Sequence, residues 1–387
     1  MEAAVTISGR GAERLRSGHP WIYRSDVREA GQAAAGDVVR LLDRSGRFHG
    51  KAHYSAASQI ALRLLTAADE PVDAAFFRRR LERARELRDR VVSDTNAYRL
   101  VYGEADELPA LIIDRYAGWL SIQALSQGMD RARPLLVELL REMYVARGII
   151  ERNDARVREL EALPLESRVA AGECPEVVEV EMNGLRLGVR LGSGQKTGAF
   201  LDQRENYAAA ERYARGQALD CFTYAGGFAL HLARRCASVE AVDASAEAIA
   251  AARDNAARNS LSNITFLEAN AFDWLKSRDE QRRSFDLVVL DPPAFAKTRG
   301  HLDAALRGYK EINLRAMRLL RAGGVLVTCS CSHHVSEADF LEVVATAALD
   351  ARRRALVLER RAQARDHPIA LTIPETLYLK CLILLVG

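Results

Sequence analysis

The residues best suited to chemistry stand at two strand ends. Asp291-Pro292-Pro293-Ala294-Phe295 directly follows the apolar run Phe285–Leu290, and Cys329-Ser330-Cys331-Ser332-His333-His334 directly follows Val325–Thr328. The first is rigid: an acid, then two imino acids that expose carbonyls and cannot donate. The second ends a strand in thiols. Side by side at the carboxyl edge of a sheet, they would set a nucleophile next to a slot for a flat polar ring. That arrangement suits chemistry on a nucleobase.

Carbon 5 of a pyrimidine is a poor nucleophile. A thiolate adding at carbon 6 makes carbon 5 enamine-like and able to attack a methyl sulfonium, which is covalent catalysis by an activated cysteine. The base must be exposed, so a flipped or single-stranded nucleotide is expected. Asp291 is suited to hydrogen-bond the cytosine amino group or ring N3. Pro292 and Pro293 would form a rigid wall, and Phe295 a stacking face. Side chains alternate along a strand, so Cys329 and Cys331 face the same way if the strand continues. Cys331 lies further out, toward the crevice, while Cys329 suits a buried structural thiol. The rival reading is metal, with two Cys and two His within this stretch. Zinc sites space their cysteines by about two to four residues and need a second pair, so no metal is expected.

The cofactor half lies at three other strand ends. Asp220-Cys221-Phe222-Thr223-Tyr224-Ala225-Gly226-Gly227-Phe228 places two glycines at a helix start, which allows a tight turn and close backbone approach to a ligand. It is not the GxGxxG of pyrophosphate dinucleotides. Val242-Asp243 ends the next strand in an acid able to accept both ribose hydroxyls. Glu268-Ala269-Asn270-Ala271-Phe272 ends the third, with Asn270 in reach of an adenine amino group. Each signal alone is explained by packing or capping. Three at successive strand ends describe a site for an adenine nucleoside without a long phosphate tail.

Elements to position these ends are legible along the chain. Its 387 residues, 49% hydrophobic, are enough for two or three domains. Three regions separate: 1–70, 71–191 and 192–387. In the first, Val38–Leu42, Arg47–Tyr54 and Ile60–Leu65 read as short strands. A helix is expected over Val72–Val92. Strands then follow at Tyr98–Tyr102, Ala110–Arg115 and Trp119–Ala124, a helix at Arg131–Tyr144 and a strand at Ile149–Arg152. Asn183-Gly184 predicts a hairpin between Val177–Met182 and Leu185–Leu191. From Gly192 strand and helix alternate, which means an α/β fold with a parallel, doubly wound sheet, and ligands there sit beyond the carboxyl strand ends.

Charge and cysteine usage narrow the class. Net charge is only +3, so basic character is local. Residues 1–63 carry ten Arg or Lys against six Asp or Glu, and residues 78–90 hold seven arginines. Arginine suits bidentate phosphate contacts, although Glu82, Glu86 and Asp89 interleave as on a solvated helix face. The six cysteines lack paired spacing, which fits a reducing compartment. With no apolar run of about 18 residues and no signal-like start, a cytoplasmic protein is expected.

Together, Gln195-Lys196-Thr197-Gly198-Ala199-Phe200-Leu201-Asp202-Gln203-Arg204, the Tyr224–Phe228 turn, Asp291–Phe295 and Ser330-Cys331-Ser332 resemble the bacterial large-subunit (23S) ribosomal RNA cytosine-C5 methyltransferases. The resemblance spans essentially the whole chain, and Gly18-His19-Pro20-Trp21-Ile22-Tyr23 looks like the start of that family's N-terminal PUA domain. It implies a PUA β-barrel that binds RNA, a central α/β domain and a seven-stranded, Rossmann-like class I methyltransferase domain. The cofactor implied is S-adenosylmethionine (SAM) in preference to NAD. The Lys196–Arg204 segment, with Phe200, Gln203 and Arg204, resembles the loop that closes over SAM. Asp220, Phe222, Tyr224, Gly226 and Gly227 fall on the methionine-side turn, Asp243 on the ribose acid, and Asn270 and Ala271 on the adenine side. Asp291 borders both ligands, and Lys196 joins Pro292, Pro293 and Phe295 on the base side. Cys331 matches the family's cysteine after the fifth strand. Relatives often carry Asp where Asn270 stands, and other RNA cytosine-C5 methyltransferases carry Pro-Cys where this chain has Pro292-Pro293, so the group that removes the C5 proton is open. Two other functions fit parts of the pattern: N-methylation of a guanine or adenine exocyclic amine in rRNA, and a non-catalytic ribosome-assembly RNA-binding protein. The partner implied is 23S rRNA or the assembling large subunit. A homodimer is an expectation that no pattern quantifies.

Overall fold

The structure is a computed structural model and describes residues 2–192, 198–296 and 299–387. Contacts divide it into two compact units. The first comprises 1–180, 189–201 and 365–376; the second comprises 181–188, 202–364 and 377–387. No helix among the described residues is long and apolar enough to cross a membrane.

The first unit opens with β1 (Ala4–Ile7), α1 (Gly9–Arg16), β2 (Trp21–Tyr23), β3 (Val27–Glu29), β4 (Val38–Leu42), β5 (Phe48–Tyr54) and β6 (Ile60–Thr66). The strands form one sheet in the order β2-β6-β5-β4-β1-β3. Strands β4, β5 and β6 correspond to those expected. The short β1, β2 and β3 were not expected, because three or four residues show too little alternation. Burial of Val5, Ile7 and Ile22 holds two of them in the core.

Next come α2 (Ala74–Val91), β7 (Ala97–Tyr102), β8 (Leu111–Tyr116), β9 (Trp119–Ala124), α3 (Gln127–Tyr144), β10 (Gly148–Asn153) and β11 (Glu166–Gly172). They build a five-stranded sheet in the order β11-β10-β9-β8-β7. Helix α3 starts at Gln127 instead of Arg131, because Ser126 caps it by accepting a hydrogen bond from the Met129 amide at 3.3 Å.

The arginine run of α2 has divided duties. Arg78, Arg79 and Arg80 pair with Glu142, Glu70 and Glu107; exposed Arg83 also lies 3.6 Å from Glu107, and Arg90 is exposed. Arg88 is fully buried. It forks onto Asp106 at 2.5 and 2.7 Å and donates to the carbonyls of Arg99 and Asp366, both at 2.9 Å. Asp366 also accepts from the Arg99 amide at 2.9 Å, so residues 365–376 return from far along the chain to complete this unit.

The second unit holds residues 181–188 of a hairpin of β12 (Val178–Met182) and β13 (Leu185–Val189), turned at Asn183 and Gly184 with φ 52° and 77°. Two positive φ values are what a tight hairpin turn demands. Then follow α4 (Arg204–Glu211), β14 (Gln217–Cys221), α5 (Gly227–Ala233), β15 (Ser238–Asp243), α6 (Ala246–Arg258), β16 (Ile264–Glu268), α7 (Ala271–Glu280), β17 (Phe285–Leu290), α8 (Leu302–Leu319), β18 (Leu320–Ser330), α9 (Glu337–Asp350), β19 (Ala355–Arg361) and β20 (Lys380–Val386). The seven strands lie in the order β16-β15-β14-β17-β18-β20-β19. Strand β20 runs antiparallel to both neighbours; the pairs from β16 to β18 are parallel. The order reverses between β14 and β17, so a crevice opens outside their carboxyl ends. The helices α4 and α7 and the strand β11 were not expected.

Replacing Arg88 with Met strands the buried Asp106 carboxylate. Chemical denaturation is expected to show a loss of about 3–5 kcal/mol, largely recovered in the Arg88→Met/Asp106→Leu pair. An Arg88→Met protein as stable as the parent would contradict this account.

Candidate active site

The carboxyl ends of β17 and β18 are tied together. Strand register pairs Leu290 with Thr328. Beyond it the chains would separate, since proline cannot continue a ladder. Ser332 bridges the gap: its Oγ accepts from the Ala296 amide at 3.2 Å and lies 3.0 Å from the Tyr309 hydroxyl of α8. Ser330 Oγ donates to the same hydroxyl at 2.9 Å. The residues on either side of Cys331 are thus anchored to one buried tyrosine. Cys331 is half-buried, with its thiol directed at the Pro292 carbonyl at 3.8 Å. Cys329 is fully buried and paired in register with Cys381. Burial, then the neighbouring Cys381, pushes its thiol well above the ordinary range, which leaves it inert as a nucleophile.

Asp291 is fixed from two sides. Its amide lies 3.4 Å from the Cys221 carbonyl, and its Oδ1 accepts from Gln203 Nε2 at 2.8 Å. Gln203 is buried and in turn accepts from Asn206 at 2.7 Å. Its visible role is therefore to orient Asp291. Phe295 packs on Tyr309, centroids 4.7 Å apart, and on Phe272 at 5.7 Å, with Phe222 at 6.5 Å. Pro292 is buried and Pro293 exposed.

The strand end of β14 is a strained turn. Phe222 and Tyr224 hold positive φ values of 67° and 49°, and Gly226 of 89°. A Cβ on Gly227 would come within 2.4 Å of the Tyr207 ring, so helix and α4 can meet only at glycine. Buried His231 fastens the same corner: its Nδ1 donates to the Gly227 carbonyl at 2.7 Å and its Nε2 accepts from Asn183 at 3.1 Å. Burial lowers the imidazole to about 4, so it is neutral here. Asp243 accepts from the Tyr224 and Ser245 amides, one on each oxygen at 2.9 Å. Its remaining lone pairs suit ribose hydroxyls. Asn270 is exposed and its side-chain oxygen caps α7 through the Phe272 amide at 2.9 Å. The amide nitrogen that remains is a donor, so it suits an adenine ring nitrogen and not the amino group expected above. Ala271 is buried behind it.

Three carboxylates crowd this edge. Asp220 is fully buried; its Oδ2 accepts from Thr223 Oγ1 at 2.6 Å and from the Ala229 amide at 2.9 Å, while Oδ1 has no partner among the described residues. Burial pushes this carboxyl up to about 7, with Asp291 and Asp243 adding to the rise and the Thr223 and Ala229 bonds opposing it. An orphaned buried oxygen in an acidic crevice fits a cationic ligand.

Lys196 lies outside the described residues. Phe200 belongs to the first unit, whereas Gln203 and buried Arg204 belong to the second. Sequence reasoning did not single out Tyr309 or the anchoring role of Ser330 and Ser332. The two serines straddling Cys331 were the available signal.

Comparisons agree with this geometry. Residues 164–368 match the S-adenosylmethionine-dependent methyltransferase family, and residues 5–67 match a PUA-like domain. A protein of Shewanella frigidimarina named ribosomal RNA large subunit methyltransferase I is 42% identical over 384 residues, 96% of this chain and 97% of the relative. The chain belongs to this methyltransferase family. The Escherichia coli protein of the same name is 40% identical, with 97% of each chain covered. A putative SAM-dependent methyltransferase from Streptococcus mutans shares the fold with a TM-score of 0.84 at 19% identity, over 100% of both chains.

The methyltransferase thus uses SAM, and its residues fit that group. Asp220 offers an unused acceptor to a cation, Gly226-Gly227 a close backbone, and Asp243 two acceptors for a ribose. SAM supplies a sulfonium methyl, the electrophile of the reaction. The raised Asp220 pKa has a stability consequence. Its contribution is fully present below about pH 4, the unfolded range, and is lost as pH rises to about 7. Asp220→Asn is expected to flatten the apo-protein's melting profile over that window. It should also weaken SAM binding at pH 8 by about tenfold or more, one pKa unit of interaction, as measured by calorimetry. Unchanged affinity would remove Asp220 from the cofactor site.

Proposed function

We propose that this enzyme methylates carbon 5 of a cytosine in 23S ribosomal RNA through a covalent adduct between Cys331 and carbon 6. The carrying observation is the half-buried Cys331 thiol anchored between two serines beside the Pro292 carbonyl, on the strand neighbouring Asp291. The substrate class is supported by relatives that span the chain and are named ribosomal RNA large subunit methyltransferase I, and by the PUA-like domain.

The Cys331 thiolate forms a bond to carbon 6 and loads electron density onto carbon 5. Carbon 5 then takes the methyl group. Loss of the C5 proton as the C6–S bond breaks restores aromaticity and the thiolate. Asp291, oriented by Gln203, holds the amino and N3 edge. Pro292 and Pro293 supply a wall that cannot rotate, and Phe295 backs it from the aromatic cluster. Lys196 is assigned to the base side on the resemblance alone. Phosphate contacts are assigned to exposed arginines such as Arg83 and Arg90, not to the structural Arg88, and affinity should fall steeply with salt.

RNA carrying 5-fluorocytosine distinguishes this reaction from amine methylation, because fluorine at carbon 5 blocks the elimination that frees the thiol. A denaturation-resistant protein–RNA adduct is expected with the parent and with Cys329→Ala, and none with Cys331→Ala, whose methylation should fall to background while SAM binding persists. An active Cys331→Ala enzyme, or methyl groups on exocyclic amines without an adduct, would overturn the proposal.

A further inference from the structure

Lys380 is the first residue of β20 and the register partner of Ser330 on β18. Only 6% of it is exposed, and it makes no ion pair among the described residues. Its Nζ donates to the Ser332 carbonyl at 2.7 Å and to the Tyr378 carbonyl at 2.9 Å. Ser332 follows Cys331 directly, so the amine is fixed one peptide away from the thiol-bearing residue. Cys331 and Glu337, the first residue of α9, both act on it electrostatically. The other ionisable groups around it are Tyr309, bonded to both serines, buried Cys329 and Cys381, His333 stacked 5.5 Å from Tyr378, and Asp202, which accepts from the Tyr378 hydroxyl at 2.5 Å.

A buried ammonium bonded only to carbonyls, with no carboxylate in hydrogen-bond contact, is an expensive feature unless an anion appears nearby. A neutral amine has two N–H groups and one lone pair, and two carbonyls already take the two N–H groups. The site therefore accommodates the neutral amine with its lone pair unspent, and the ammonium once an anion forms next to it.

We propose that Lys380 is a positioning residue for Cys331: it receives the thiol proton and holds the resulting thiolate ready to attack. This rests on the reading of Cys331 as nucleophile. The S–H bond breaks, its electron pair stays on sulfur, and the proton ends on the Lys380 amine, so a neutral pair becomes a thiolate–ammonium pair with no change in net charge. The sulfur electrons then form the bond to carbon 6. Burial lowers the Lys380 amine to about 8, close to an ordinary thiol at about 8.5, so the proton can pass between them near neutral pH.

The test is the pH dependence of Cys331 alkylation by iodoacetamide in the full chain, read on the Cys331 peptide by mass spectrometry. The parent should titrate below the ordinary cysteine range. Lys380→Met should move the midpoint up by about one unit, slowing alkylation about tenfold at pH 7, while SAM binding measured by calorimetry stays intact. Coincident midpoints in parent and Lys380→Met would overturn the proposal. So would a parent midpoint at or above that of an ordinary cysteine, which needs no variant to fold. Neither result depends on methylation, so each is separable from failure of Cys331→Ala to lose activity.

Discussion

The strand ends after β17 and β18 are held together through the hydroxyl of Ser332. Neighbouring strands of a twisted sheet part company beyond their last shared rung, and here one of them leaves through two prolines. Without a tie, the acid after β17 and the thiol after β18 would be independent loop residues. Ser332 joins them by taking the Ala296 amide on one side and the Tyr309 hydroxyl on the other. Tyr309 is itself fully buried in α8, and a buried phenol needs partners. The serines supply them. Packing of one helix against the sheet thereby sets the spacing between Asp291 and Cys331.

The site is divided electrically. Toward β14, β15 and β17 it is acidic: Asp291 and Asp243 raise the proton affinity of buried Asp220, which leaves an oxygen without a partner among the described residues. Toward β20 it is basic, with Lys380 buried against the carbonyl that follows Cys331. The acidic side fits a cationic cofactor. Gln203 stands at the border, donating to Asp291 and accepting from Asn206. A single network thus touches the carboxylate that would face both ligands.

Much of this was legible in the sequence, and the exceptions have physical reasons. Alternation and the Asn183-Gly184 turn marked strands, hairpin and parallel sheet, since such patterns are local. The Asp-Pro-Pro and Ser-Cys-Ser ends were visible because few structural roles need those residues in that order. The preference for Cys331 over Cys329 followed from distance along the strand. Short β1, β2 and β3 escaped because their burial is decided by partners elsewhere in the chain. The duty of Arg88 escaped because an arginine inside an arginine run looks like its neighbours; only a buried Asp106 distinguishes it. Lys380 was hidden for the same reason, as a lone lysine opening an apolar strand reads as an edge charge until β18 and β19 are placed around it.

Strand β20 is the last of the seven in chain order, yet it lies between β18 and β19. Before it inserts, the sheet ends in two strands with no ladder between them. The stretch 365–376 that precedes it is equally overdue, since buried Arg88 waits for the Asp366 carbonyl. Each unit therefore stays incomplete until residues in the stretch 365–386 have been made. A nascent chain still short of this stretch would carry Cys331 without the lysine beside it. On the proposal above, the thiol of such a chain lacks its proton acceptor.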